Sequence, residues 1–241
     1  MSHRDQIHLL QGRPLRLRLC RSPRARNLRL TVSRRGGAVV TLPRWATRRD
    51  VDQALSEAQD WLVRQVTLYD VWDGPRQRSW TSGSELAILG RHVRLELRPF
   101  TDGRRRRRAT LTGEVLRLEL PIDEFLDPRP ALERWLRAFA GRHLRERTQI
   151  LGRQLGLQPR RILVGERTTR WGSCSGRGTI SYCYRLVMAP PAVVDAVVIH
   201  ELCHLVHPDH GPGWRAMVEA ACPEHTQHMA WLRHHGEELE L

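Results

Sequence analysis

The chain contains no lysine: all 40 of its basic residues are arginine, set against 26 acidic ones. A formal charge of +14 ordinarily favours a polyanionic partner, because clustered cations release counterions from nucleic acid or phosphate. Complete replacement of one cation by the other looks like a codon-level bias rather than selection for phosphate. The charge alone therefore leaves nucleic acid a possible partner and not the favoured one.

No apolar run approaches the roughly 18 residues of a membrane span, and residues 1 to 12 lack the apolar segment of a secretory signal. These absences predict a soluble, cytoplasmic protein with no membrane partner. No C-x-x-C pair occurs among Cys20, Cys174, Cys183, Cys203 and Cys222, an odd and scattered set. That argues against a disulfide framework and a cysteine zinc ribbon, and leaves buried structural thiols. No low-complexity linker or internal repeat stands out. At 40 % hydrophobic residues, 241 residues suffice for an ordinary core, so disorder is not the default.

What is present divides into a β-rich start and a more helical end, an α+β composition. Leu15, Leu17 and Leu19 alternate, as do Leu28, Leu30 and Val32, which predicts half-buried strands. Gly36 and Gly37 supply a turn, so residues 27 to 42 read as a hairpin. Thr47 and Asp50 form a capping box for a helix marked by Val51, Ala54, Leu55, Ala58, Leu62 and Val66 and ending near Tyr69. Strands follow at 86–89, 93–97 and 110–120. The five arginines Arg104 to Arg108 between them read as a solvated loop. Residues 121 to 130, with three prolines, mark a boundary between parts 1–125 and 126–241, and a long helix runs from Pro130 to about Leu155.

The chemistry concentrates in Pro190-Pro191-Ala-Val-Val-Asp-Ala-Val-Val-Ile199-His200-Glu201-Leu202-Cys203-His204. Paired prolines suit a helix start, and the apolar run behind them predicts a buried helix. Four residues advance a helical side chain by about 400°, so His200 and His204 share one face a turn apart and can grip one ion. Glu201 stands beside the first histidine as general base without being a ligand. Chance matches to H-E-x-x-H in this composition number roughly 0.04 per chain.

A catalytic zinc wants three protein ligands and one open position. His210, beyond the break at Pro208, is favoured as the third, with one zinc ion per chain. His207 is read as a supporting donor or a surface residue, and Glu219 as the weaker carboxylate alternative. His225, His228, His234 and His235 read as surface residues of the last helix. Cys203 projects about 60° aside from His200 and reads as packing.

Upstream, Arg170-Trp171-Gly172-Ser173-Cys174-Ser175 precedes a strand-like run from Thr179 to Val187 and then Ala189-Pro190-Pro191. Together with His-Glu-x-x-His, His210 and Trp214, these segments resemble the YgjP-like metallopeptidase domain family. The resemblance runs from about Arg21 to Gly236, with Arg24-Ala25-Arg26-Asn27-Leu28 and Leu89-Gly90-Arg91 fitting its amino-terminal half. It implies a metal-dependent hydrolase of zincin type, with SprT-like relatives that act near DNA, and a zincin-like catalytic part over 126–241. Matched positions give His200, His204 and His210 as ligands and Glu201 as catalytic residue. This chain has Asp209 where members commonly carry asparagine before the third histidine.

The expected activity is cleavage of a peptide or protein substrate, held along the edge of the 179–187 strand. Arg170, Tyr184 and Arg185 are candidates for stabilising the oxyanion, or for packing the sheet against the helix. Alternatives are hydrolysis of a nucleotide phosphoanhydride, or a nucleic-acid-binding module whose zinc is structural and closed by Cys203 or His207.

Overall fold

In the computed structural model, the described residues are 3–34, 36–74, 79–100, 108–167 and 169–241. They form a mixed α+β protein that divides into two compact units, Met1–Arg78 and Ser79–Leu241. The three-proline stretch 121–130 falls inside the second unit. Leu116, Leu118 and Leu120 before it and Leu132 and Leu136 after it belong to one hydrophobic core.

The first unit opens with β1 (His3–Leu10) and β2 (Arg13–Arg21), joined by Gln11 and Gly12 at φ 50° and 78°. Two left-handed residues in succession make the tight turn whose twist suits a hairpin. β3 (Arg29–Ser33) and β4 (Gly37–Leu42) form the expected second hairpin, and β4 lies parallel to β2, giving the order β1-β2-β4-β3. Leu15, Leu17, Val40 and Leu42 turn inward.

The predicted helix starts at its capping box but is two helices, α1 (Arg48–Glu57) and α2 (Gln59–Tyr69). The backbone opens at Ala58 to ψ 11°, and the helix resumes so that Leu62 and Val66 join Val51 and Leu55 in one core.

The second unit begins with the same arrangement. β5 (Glu85–Ile88), β6 (Arg91–Phe100), β7 (Arg108–Thr112) and β8 (Val115–Pro121) take the order β5-β6-β8-β7, again with one parallel pair in the middle. The β5–β6 turn, Leu89 and Gly90, repeats the left-handed pair at φ 49° and 72°. The segment Gly12-Arg13-x-x-Arg16-Leu17-x-Leu19 recurs as Gly90-Arg91-x-x-Arg94-Leu95-x-Leu97. A repeat is thus present after all. It hides in the sequence because only the turn glycine, two exposed arginines and two inward leucines are common to the two segments. Arg104 to Arg107 lie outside the described residues, and Arg108 opens β7.

A short helix α3 (Ile122–Phe125) leads to α4 (Arg129–Leu155), which ends where Gly156 turns left-handed at φ 69°. A third sheet, order β10-β11-β9, comprises β9 (Arg161–Gly165), β10 (Gly172–Cys174) and β11 (Thr179–Cys183). The strand expected to reach Val187 stops at Cys183, and Tyr184–Met188 winds into a 3-10 turn. Leu89 of the β5–β6 turn donates its N–H to Val187 O at 2.7 Å, anchoring that turn as it delivers the chain to the next helix.

That helix, α5 (Pro191–Cys203), begins at the two prolines and is buried from Val193 to Cys203 save Asp195 and His200, which are half-buried. α6 (Pro212–Ala221) and α7 (His225–His235) complete the chain. Among the described residues no helix is long and apolar enough to cross a membrane.

Candidate metal centre

The apolar body of α5 sets its register, and the polar residues at its end follow from it. His200 and Glu201 occupy the last turn and His204 caps it with helical angles, φ −69° and ψ −11°. The chain continues through one more turn, with His207 N–H bonded to Cys203 O, and Pro208 prevents further winding. It doubles back through Asp209 to His210, just before α6.

The three imidazoles converge. Nε2 of His204 lies 3.3 Å from Nε2 of His200 and 3.2 Å from Nε2 of His210, and the remaining side is 3.3 Å. Nδ1 of His204 donates to His207 O at 2.9 Å, so in the neutral ring the proton sits on Nδ1 and Nε2 is a bare acceptor. Nδ1 of His200 meets Nε2 of His225 at 3.1 Å.

Three ring nitrogens converging in this way suit a cation between them. Tetrahedral corners about 2.0–2.1 Å from a small divalent ion stand about 3.3–3.4 Å apart, which matches the triangle. The three residues therefore fit such an ion, and they form the group among the described residues that could hold one.

Electrostatics agree. Burial, reinforced by His204, His225 and His210, pushes His200 down to about 3, which keeps its ring neutral and available as a ligand. Burial also lowers His225, aided by His228 and His210. The Trp214 indole packs against all three imidazoles, with centroids 4.7, 5.4 and 4.6 Å from His200, His204 and His210. It forms an apolar wall behind the cluster.

Glu201 is 5 % exposed, and its Oε2 has no hydrogen-bond partner among the described residues. Burial raises its carboxyl to about 7, against the opposing charge of Arg170. A buried polar oxygen without a protein partner calls for one. Gly172 of β10 packs against this carboxylate so closely that a methyl group there would fall within 2.7 Å of Cγ.

The remaining candidates separate. Arg170 is exposed, acts on Glu201 through its charge, and lines a cleft of about 360 Å³ with Glu166, Arg167, Thr169 and Ser173. Tyr184 is buried, donating its hydroxyl to Glu133 at 3.2 Å beneath the Arg137 guanidinium. Arg185 is buried too, donating to Arg167 O at 3.0 Å and Leu239 O at 3.4 Å. These contacts fit the packing role that the sequence left open for Tyr184 and Arg185.

His207 contributes its carbonyl rather than its ring, which lies against Gly213. Glu219 is exposed on α6 and Cys203 is buried, its thiol pushed up to about 11 by that burial; neither joins the cluster. His225 corrects the sequence reading. It is not a plain surface residue but heads α7, half-buried, against His200. No periodicity in α7 marks it, because the contact spans separate helices.

The chain matches the YgjP-like, metallopeptidase domain family over residues 26–235. No curated protein and no solved structure matches it.

Proposed function

The chain belongs to the YgjP-like metallopeptidase domain family, and from that premise we propose that it is a zinc-dependent metallopeptidase with His200, His204 and His210 as ligands and Glu201 as general base. The observation that carries this reading is the triangle of Nε2 atoms, 3.2–3.3 Å on each side, beside a buried carboxylate.

When bound, a zinc ion supplies Lewis-acid chemistry, acidifying a water and polarising a carbonyl. The protein's own groups do the rest. Glu201, raised to about 7, accepts the proton of the attacking water and later delivers it to the departing amine nitrogen. His225 and the His207 carbonyl hold the Nδ1 sides of His200 and His204, which fixes ring orientation and leaves each Nε2 free. Arg170, exposed, acts on Glu201 through its positive charge, which opposes the effect of burial.

The substrate strand needs reassignment. β11 lies between β10 and β9 and offers no free edge, so an extended peptide would pair instead with the outer edge of β10. Gly172 on that strand touches Glu201, which brings such a peptide to the base. A structural ion would want a fourth protein ligand, and the side chains of Cys203 and His207 both lie outside the cluster.

The test uses purified wild type and Glu201→Gln with metal content measured. Both are assayed on unfolded protein and on nucleoside triphosphates. The proposal expects metal retained and proteolysis lost in the variant. Equal activity of the two proteins refutes the general-base role, and hydrolysis of triphosphates alone refutes the peptidase reading.

A further inference from the structure

The positive charge is unevenly shared. Residues 1–78 hold 16 of the 40 arginines but only 7 of the 26 acidic residues, a net +9 of the chain's +14. A codon bias that writes arginine for lysine changes neither the sign nor the sum of charge. It therefore leaves this asymmetry unexplained.

Much of the excess gathers at one end of the first sheet. The loops 22–28 and 43–47 leave the carboxyl ends of the parallel neighbours β2 and β4, and Ser22 N–H ties them together through Leu42 O at 2.9 Å. Arg24, Arg26, Arg44, Arg48 and Arg49 are all exposed on these loops and the first turn of α1. None of Arg24, Arg26, Arg44 or Arg48 has a carboxylate partner among the described residues. Arg21 and Arg48 also line a cleft of about 480 Å³ at this end with Leu19, Leu42, Thr47 and Val51. Among the described residues the one carboxylate lining that cleft, Asp5, is paired with Arg16 and Arg18.

Next to Arg44 in the 43–47 loop stands Trp45, 64 % exposed. Its loop is fixed: Arg21 donates to Arg44 O and Ala46 O, each at 3.0 Å, and to Pro43 O at 3.4 Å. A large apolar ring is thus held largely in water on a loop fixed by hydrogen bonds. The N-terminus of α1 is closed by its own box, Thr47 N–H and Oγ1 both donating to Asp50 at 2.7 Å. Polyanion contacts here fall to the side chains.

We propose that this patch binds single-stranded nucleic acid, with Trp45 stacking on a base and Arg24, Arg26, Arg44 and Arg48 pairing with flanking phosphates. The combination of an exposed ring and a cationic surround is what a sequence-tolerant strand-binding surface requires. Duplex DNA offers no free base face to the ring. An anionic membrane fits less well, because Pro43 and Ala46 beside Trp45 are buried and most exposed residues of the two loops are polar or charged, which leaves little apolar surface to insert. The inference is independent of the hydrolase reading and involves none of its residues.

The experiment is fluorescence anisotropy of the full chain with a labelled oligothymidylate of about 12 nucleotides, within the site sizes common for such surfaces. Four phosphate contacts predict a log–log salt slope of about −3 between about 50 and 200 mM salt. Trp45→Ala is expected to weaken binding about 5- to 100-fold and leave the slope unchanged, because stacking is lost but no charge is. The double variant Arg24→Ala with Arg44→Ala is expected to shallow the slope by about 1.4. A duplex of the same length serves as control, as do vesicles of equal parts phosphatidylcholine and phosphatidylserine.

Absence of binding overturns the proposal. So does binding unaffected by Trp45→Ala, equal affinity for the duplex, or Trp45-dependent binding to the vesicles without binding to the oligonucleotide. Unchanged far-ultraviolet circular dichroism in each variant excludes misfolding as the cause of any loss.

Discussion

Gly172 and Glu201 are packed so tightly that a Cβ built on the glycine would lie 2.7 Å from Cγ and 2.8 Å from Cδ of the glutamate. The backbone of β10 therefore forms one wall of the carboxylate's pocket, and only glycine allows it. Gly172→Ala must displace either the strand or the carboxylate. The expected outcome is a protein with unchanged metal content, hydrolysis reduced at least about 10-fold, and stability lowered by about 1–3 kcal/mol, the usual range for overpacking. Metal analysis beside a peptidase assay and a denaturant curve checks this, and full activity would mean that Glu201 tolerates another position.

His225 meets His200 at 3.1 Å between ring nitrogens, with the two rings stacked 5.3 Å apart. If Nε2 of His200 ligates an ion, as proposed, Nδ1 would carry the proton and His225 Nε2 would accept it. His225→Ala removes that acceptor, and metal affinity is expected to fall about 10- to 100-fold, as for other groups behind a ligating histidine. Competition with a chromophoric chelator measures it. An unchanged affinity would reduce His225 to packing.

Removal of metal is expected to loosen α5 and the 204–210 turn together, because an ion held by His200, His204 and His210 would tie residues on both. Binding to the native state alone stabilises by about 2.7 kcal/mol when the free ion is at 100 times its dissociation constant. The melting temperature should therefore fall on treatment with chelator and recover on addition of zinc. Trp214, 4.6–5.4 Å from the three rings, should report the same event by a change in fluorescence. Trp214→Phe is expected to abolish that signal, and a signal that persists would come from another tryptophan.

The legible part of this molecule was whatever short-range periodicity controls. The strands through Leu15–Leu17–Leu19, the capping box at Thr47 and the helix from Pro191 all follow from spacing within one element, and so does the pairing of His200 with His204. His210 is legible because Pro208 ends the helix and a histidine just beyond the break can fold back toward the first two. Contacts between distant elements were not legible. His225 meets His200 across two helices, and β11 is central because β10 pairs with it, neither of which leaves a local trace. The stop at Cys183 was hidden as well, since an apolar run suits a buried 3-10 turn as readily as a strand.

The repeated four-stranded arrangement allows a matched comparison of two glycines. Gly12 and Gly90 hold the same place in equivalent turns, at φ 78° and 72°, where an L side chain is strained. Nothing lies within 4 Å of a Cβ on Gly12, whereas one on Gly90 would stand 3.1 Å from Pro190 Cα, at the start of α5. Gly12→Ala should thus cost only the backbone strain, about 1–2 kcal/mol. Gly90→Ala should cost that amount plus the displacement of Pro190, and should lower metal affinity as well, because α5 carries His200 and ends at His204. Denaturant unfolding and metal titration of the two variants separate these effects. Equal losses of stability with metal affinity untouched in both would show that the β5–β6 turn does not brace the metal helix.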